Sequence, residues 1–308
     1  MAVDGITRAD AEAAFDEALS AELINALPRQ SAALSNLTVI PMGTLTTRIP
    51  VLSALPTASF LSADQAPKPL SEVAWQGKML TAEEVAVIVP ISETVLEDAS
   101  IDVMQRTTDL IVQEFGRVLD AAVFFGTGAP ATFPAGGIYG AATAGQKVAE
   151  SGVPSTDLNA LFALIEDLGL DVTDVFATRA MKAALRGQTG VGGVPIYVPE
   201  AGMPNVGSIW GVPTAYPLGW DKTKATAIAV NDSVAVLGLR SDVKTKVLTE
   251  ATLTGFGNLA EKDSIAIRAT MRVAFTLANP VSIDNPDGTL PIGVLTPAAG
   301  GQAARSSK

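Results

Sequence analysis

IDVMQRTTDLIVQEFGRVLDAAVFF, residues Ile101 to Phe125, is the stretch on which the fold turns. Within it Ile101, Met104, Thr108, Ile111, Phe115, Val118, Ala122 and Phe125 recur at alternating intervals of three and four, the spacing that lines up one face of an α-helix. The opposite face carries Asp102, Arg106, Asp109, Gln113, Arg117 and Asp120. There Asp102 with Arg106, and Arg117 with Asp120, are spaced for i,i+4 and i,i+3 ion pairs. Ser100 stands where an N-cap belongs. At 1.5 Å per residue the helix would be about 37 Å long. That exceeds what a compact domain ordinarily needs, so it reads as a spine to which other elements attach.

Upstream, EEVAVIVP (Glu83 to Pro90) is a β-branched run suited to a strand. Before it, Leu52 to Leu80 holds Pro56, Pro67 and Pro69, yet displays Phe60, Leu61, Leu70 and Trp75. A loop of that length is ordinarily functional. It is too proline-rich to build a core of its own, so its apolar side chains predict that it covers a partner. Leu37 to Leu52 alternates and contains Pro41 and Pro50, which suit an edge strand because proline donates no ladder hydrogen bond. Earlier still, Phe15, Leu19, Leu23 and Leu27 repeat every four residues before Pro28, predicting an amphipathic helix in an N-terminal arm.

Downstream, a Gly/Pro segment ends near Gly145 and a capped helix follows from Ser155 to Leu168, striped by Leu158, Leu161, Ile165 and Leu168 and stopped by Gly169. A strand (Asp174 to Thr178), a short helix (Arg179 to Arg186) and a Gly/Pro-rich loop (Gly187 to Gly207) come next. Strand patterns then recur at Ile209 to Ala215, Ala225 to Val230, Val234 to Leu239 and Val243 to Thr249. This is an α+β block around a mixed or antiparallel sheet. Finally Ile265, Ile267, Ala269, Met271, Val273, Phe275 and Leu277 alternate with Arg268, Thr270, Arg272 and Thr276. That strand is long enough to lie along the spine. The elongated domain would then come from the middle and end of the chain, with the α+β block inserted between them. The tail from Pro297 is of low complexity.

Composition narrows the function. Of 308 residues 48% are hydrophobic and only 17% charged, below the roughly 25% usual for soluble proteins, so much surface is expected to be buried against other chains. The net charge of −11 repels phosphate backbones and disfavours sequence-specific nucleic-acid binding. The chain has no cysteine and no histidine. This removes disulfides, thiolate nucleophiles, the common zinc sites and every Ser-His or Cys-His triad, and it argues against an enzyme. Met1 to Glu12 has no apolar signal core, and Phe124 to Gln146 is interrupted by glycines and prolines. Neither export nor a membrane span is expected, and the chain should stay in the cytoplasm where it is made.

Candidate chemistry is weak. The cluster Gly187, Gly190, Gly192, Gly193 lacks the Lys-Ser/Thr of a phosphate loop and opens no helix. GTGAP at Gly126 to Pro130 reads as a helix stop and turn. Glu83-Glu84 and Glu97-Asp98 are adjacent in sequence and so point apart. Lys244 and Lys246 share a strand face, while Arg240, Arg268 and Arg272 read as scattered salt-bridge partners. No cofactor and no metal is expected.

IVPISETVLEDASIDVMQ (Ile88 to Gln105) resembles the strand, Ser-x-Glu turn and acidic lead into the spine of tailed-bacteriophage major capsid proteins, the Hong Kong 97 fold. FGRVLDAAVFFGTG with FPAGGI, within Phe115 to Ile138, is similar to that family's helix end, Gly-x-Gly stop and Pro-x-Gly-Gly-Ile turn. The likeness runs from about Leu34 to Ile283. It implies an arm over residues 1–36, an extended strand and E-loop over 37–90, and a spine with its following turn over 91–150. An A-domain would occupy 151–255 and closing P-domain strands 256–296, with a flexible tail at 297–308.

The resemblance implies self-assembly as pentamers and hexamers into an icosahedral shell around double-stranded DNA, put together in the host cytoplasm. Portal and decoration proteins would be partners, with no membrane. Only about thirty-five residues precede Leu37, so scaffolding is expected from a separate protein or not at all. Assembly contacts would fall on Phe60, Leu61, Asp64, Lys68, Glu72, Trp75 and Lys78 of the E-loop. On the spine they would fall on Asp102, Arg106, Asp109 and Arg117, with Gly190, Gly193 and Glu200 at the capsomer centre. Lys68 or Lys78 could supply the lysine of the isopeptide crosslink some members form, but Asp263, Ser264 and Thr270 stand where its asparagine and glutamate would be sought; none is expected. Two rivals remain at this point. One is an encapsulin, a shell of the same fold that packages enzymes; the other is a cytoplasmic α+β enzyme.

Overall fold

The computed structural model describes residues 30–60, 68, 70–98, 103–189, 197–199, 206–240, 244–278 and 281–298. The spine helix forms over Val103–Phe125, after a short helix at Glu93–Asp98; Ser100 and Asp102 lie outside the described residues. Thr108, Ile111, Phe115, Ala122 and Phe125 are buried as the periodicity requires, and Leu119, Ala121, Val123 and Phe124 join them. The last turns are therefore enclosed on every side.

Strands, numbered in chain order, form two main sheets. The first is centred on β15 (Ser264–Leu277). Along one edge β4 (Glu83–Ser92) pairs antiparallel with Ser264 to Val273. Along the other, β11 (Ala235–Arg240) and β12 (Lys244–Leu248) run end to end, both antiparallel. Outside β11, β1 (Thr38–Met42) pairs in parallel, so Pro41 occupies an edge strand as its chemistry demands. Ile267, Ala269, Met271, Val273 and Phe275 of β15 share one hydrophobic core with Ile111, Phe115 and Leu119 of the spine. The helix-period and strand-period stripes read from the sequence thus face each other.

The second sheet has seven strands, in the order β5 (Lys147–Ala149), β16 (Ile292–Thr296), β10 (Ala227–Val230), β6 (Asp174–Ala177), β9 (Val212–Ala215), β8 (Val206–Ile209) and β7 (Tyr197–Pro199). Leu158, Leu161 and Ile165 of the helix Pro154–Glu166, with Met181 and Leu185 of the helix Arg179–Arg186, pack on Val175, Ala177, Ala227, Ala229 and Leu295. A small ribbon of β13 (Thr252–Leu253) and β14 (Gly257–Asn258) precedes β15.

Three expectations change. The run from Ile209 to Ala215 is not one strand; β8 and β9 form a hairpin that turns at Trp210 (φ 51°) and Gly211 (φ 88°). The strands at 235–240 and 244–248 pair with β15 instead of joining the inserted block, and residues 292–296 pair with β10 and β5 there. Periodicity reports that a residue is buried, not against which strand. The helix Pro154–Glu166 has no side-chain cap at Val153; Asp157 accepts instead from the Ser151 N–H (2.9 Å) and hydroxyl (2.6 Å).

The spine ends between the two sheets. The Phe124 ring lies 4.6 Å from Phe176 of β6 and 5.4 Å from Trp220, and Phe125 lies 5.0 Å from Trp220. The helix stops at Gly126 (φ 63°), and the FPAGGI turn places Gly136 (φ 72°) and Gly137 (φ 61°) against that stop. A Cβ on Gly126 would sit 2.7 Å from Gly136 Cα, and one on Gly137 would strike the Val123 carbonyl oxygen. The two glycine motifs are one device, backbone packed on backbone where only glycine fits.

Asp120 overturns the expected surface pair with Arg117. It is fully buried, and Oδ1 accepts from the Ser31 hydroxyl (2.7 Å) and the Ala33 N–H (3.1 Å), while Oδ2 accepts from the Ala32 N–H (3.2 Å). The reason is the helix Ala32–Asn36, which approaches so closely that a Cβ on Gly116 would lie 3.0 Å from the Gln30 backbone. Its first-turn N–H groups need an acceptor once covered. Asp120 supplies it, and Asn36 Nδ2 donates to Asp174 Oδ1 (3.1 Å) at the other end. Burial pushes the Asp120 carboxyl up to about 6, against hydrogen bonds from Ser31, Ala33, Ala32 and Leu218 that favour the charged form.

Two predictions follow from these contacts. An unfolded aspartate ionises near pH 3.9, so from about pH 4 to 6 the folded state holds a proton the unfolded chain has released. The contribution of Asp120 to stability then falls as pH rises through that window, by on the order of 3 kcal/mol. Denaturant midpoints of unassembled protein should drop between pH 4 and 6.5, and Asp120→Asn should flatten that slope. Gly137→Ala should cost about 3 kcal/mol through strain and overlap, read as a lower unfolding midpoint, whereas the exposed, open Gly145→Ala should cost little.

Candidate assembly surfaces

Chain leaving β1 does not return directly to the sheet. It runs out along β2 (Thr46–Ala54) and back along β3 (Ala74–Thr81), an antiparallel two-stranded ribbon from Thr46↔Thr81 to Ala54↔Ala74. Its base is anchored where Leu80, Ala82, Met42, Val236 and Ala274 pack together with Ile49 and Val51. Its far part has no such cover. Phe60 and Leu70 are fully exposed, Trp75 is 66% exposed and Met79 57%. Lys68 and Glu72 are also exposed and Lys78 is half-buried; Leu61 and Asp64 lie outside the described residues. Phe60 and most of Trp75 thus stand clear of their own domain, and their wetted surface carries an unsatisfied hydrophobic term.

On the outer face of the spine, Arg106 and Asp109 are exposed, as is Leu110 at 53%. Arg117 donates from Nε (2.8 Å) and Nη2 (2.6 Å) to the two oxygens of Glu114. Its hydrogen bond holds the Glu114 carboxyl below its ordinary range and raises the Arg117 guanidinium in turn. Arg106 has no carboxylate partner among the described residues, so the two spine arginines differ in what they can offer a neighbour. Gly190, Gly193 and Glu200 lie outside the described residues. On the helix Arg179–Arg186, Lys182 sits 4.8 Å over the Tyr216 ring.

Glu83 and Glu84 point apart as their adjacency in sequence requires, while the side chains of Glu97 and Asp98 lie outside the described ones. Glu83 and Glu84 take opposite sides of β4: Glu83 accepts from the Thr132 hydroxyl (2.9 Å), while Glu84 meets Arg272 (3.4 Å). The cleft of about 340 Å³ beside them, between β4 and the spine, is walled by Val85, Val118, Leu119, Phe133 and Val273. Among the described residues no three His, Cys, Asp or Glu side chains converge on a common point, and no helix is long and apolar enough to cross a membrane.

The cations are not scattered. Register places Lys246 opposite Arg268 and Lys244 opposite Thr270, with Ile88 and Ala86 facing the same β15 residues from β4 and Arg272 facing Glu84. Lys244, Lys246 and Arg268 are exposed on the sheet face away from the spine. Of the four, only Arg272 has an acidic partner among the described residues. Alternation within each strand was legible in the sequence; that β12 and β15 bring their basic sides to one face depends on which strands pair.

The phage capsid family profile matches residues 15–285. No curated protein matches the chain. Among solved structures, a chain from Microbacterium phage Oxtober96 is 37% identical, with a TM-score of 0.73 over 87% of this chain and 91% of that one. One from Mycobacterium phage Bobi is 31% identical, with a TM-score of 0.75 over 96% and 99%. The capsid of a native GTA particle, at 14% identity and a TM-score of 0.61, shares the fold. A spine helix seated on a long central strand, an exposed ribbon and an inserted α+β block, together with these matches across nearly its whole length, show that the chain belongs to the phage capsid family, with the Hong Kong 97-like fold and a structural role in the capsid of a virion.

Proposed function

We propose that copies of this chain assemble as pentamers and hexamers into the icosahedral head shell of a tailed phage, put together in the host cytoplasm and enclosing double-stranded DNA. The observation that carries this reading is the ribbon of β2 and β3, with Phe60, Leu70 and Trp75 in water. Among the described residues none of the subunit's core encloses them, and burying each would contribute roughly 2–3 kcal/mol. Low charge for its length points the same way, because surface that meets other copies need not be solvated. The matches to phage capsids favour this shell over a cargo-packaging one and over an enzyme.

In this reading the ribbon is the E-loop and lies over the neighbouring subunit. Phe60, Leu61 and Trp75 supply apolar area, and Lys68, Lys78, Asp64 and Glu72 set register. Asp102, Arg106, Asp109 and Arg117 form the receiving spine face, with Arg106 the better acceptor of Asp64 or Glu72 because Glu114 already engages Arg117. Gly190, Gly193 and Glu200 belong to the capsomer centre. The seven-stranded sheet is the A-domain, and the β15 sheet with the spine is the P-domain. Scaffold, portal and decoration proteins would be separate chains, and DNA would be enclosed without sequence readout.

Electron microscopy of purified recombinant protein tests the reading directly: closed shells or capsomers are expected, and a strictly monomeric protein would overturn it. Trp75→Ala should raise the concentration needed for assembly by roughly ten- to a hundredfold without moving the monomer's unfolding midpoint, since the side chain touches little of its own core. Arg106→Glu should impair assembly and likewise leave the monomer folded. Assembled shells should dissociate to monomers in hot detergent, because Asp263, Ser264 and Thr270 offer no asparagine for a lysine to attack; a persistent high-mass ladder would show an isopeptide bond.

A further inference from the structure

The basic face of the β15 sheet is at odds with the rest of the molecule. The chain carries −11 overall, yet Lys244, Lys246 and Arg268 stand together, exposed and without a carboxylate partner among the described residues, beside the half-exposed Ile88. Three like charges on one pleated face repel one another. Such a cluster persists at least cost when an acidic partner neutralises it.

The chain itself contains a segment of the complementary kind. From Asp10 to Glu22, DAEAAFDEALSAE holds Asp10, Glu12, Asp16, Glu17 and Glu22 without a single cation, and the same stretch carries the apolar Phe15 and Leu19. Acid and apolar character together match a face that offers cations around Ile88. We infer that residues 10–22 of one copy dock on the Lys244, Lys246, Arg268 face of a neighbouring copy. The acceptor is a second copy because the arm enters the fold on the other side: Gln30 lies against Gly116 of the spine, and the spine covers the side of β15 opposite the cations. Packaged DNA is the competing occupant. It is disfavoured because the acidic chain repels phosphates at range, whereas the arm is present once per subunit at high effective concentration.

This inference rests on the shell reading, and the test separates the two. The chain has no cysteine, so Ala18→Cys with Thr270→Cys creates one thiol on the arm and one in the centre of the basic face while leaving every charge in place. Oxidised capsomers or particles should give a ladder of covalent multimers on non-reducing gels. Reversal of the face by Lys246→Glu with Arg268→Glu should weaken that ladder roughly tenfold, the combined effect of a few exposed ion pairs. Adding Asp16→Lys with Glu17→Lys should restore it, and raised salt should weaken the unreversed ladder. Oligomers visible by electron microscopy report on the shell reading; the ladder within them reports on the arm. Normal oligomers with no ladder, or a ladder indifferent to charge reversal, would overturn the inference. So would reversed particles that keep the ladder but lose DNA, which would assign the face to the genome.

Discussion

The seam between the spine helix and β15 is the contact on which the rest of the molecule depends. One partner presents Ile111, Phe115 and Leu119 at helical spacing, the other Ile267, Ala269, Met271, Val273 and Phe275 at strand spacing, and all are at most 3% exposed. The contact joins the middle of the chain to its end, so everything between them must leave and return. Much of that intervening chain forms a second sheet with its own core, which β16, following β15, completes. β15 in turn pairs with β4, β11 and β12 at once.

The body built on that seam is complete, while its appendages are not. The two glycine turns lock the end of the spine, and Phe124, Phe125, Phe176 and Trp220 bind it to the second sheet. Those contacts satisfy themselves within one chain. The ribbon of β2 and β3 and the basic face of β15 do not, one having apolar area in water and the other three cations with no acidic partner among the described residues. A shell subunit needs this combination, a rigid body that folds alone and edges whose free energy is recovered only on assembly.

Asp120 links body and arm. A carboxylate sealed beneath the helix Ala32–Asn36 is costly to bury, and the hydrogen bonds it accepts offset only part of that cost, which is why its proton is held to a higher pH than usual. It fixes the point at which the N-terminal segment enters the fold. This buried role, in place of a surface pair with Arg117, makes Asp120 an anchor.

By itself the sequence determined the elements and their buried sides. The spine, the proline-marked edge strand β1, the exposed aromatic ribbon and the alternation of β15 follow from spacing and backbone chemistry, which act over a few residues. The absence of histidine and cysteine removes imidazole and thiolate chemistry whatever the fold. Only the tertiary structure decided which strands are neighbours: β11 and β12 against β15, β16 inside the seven-stranded sheet, a hairpin at Trp210 where one strand was expected. It alone turned Asp120 inward and gathered Lys244, Lys246 and Arg268 on one face. Pairing partners and the covering of one polar side chain are set by contacts between residues far apart in the chain, and local periodicity carries no record of them.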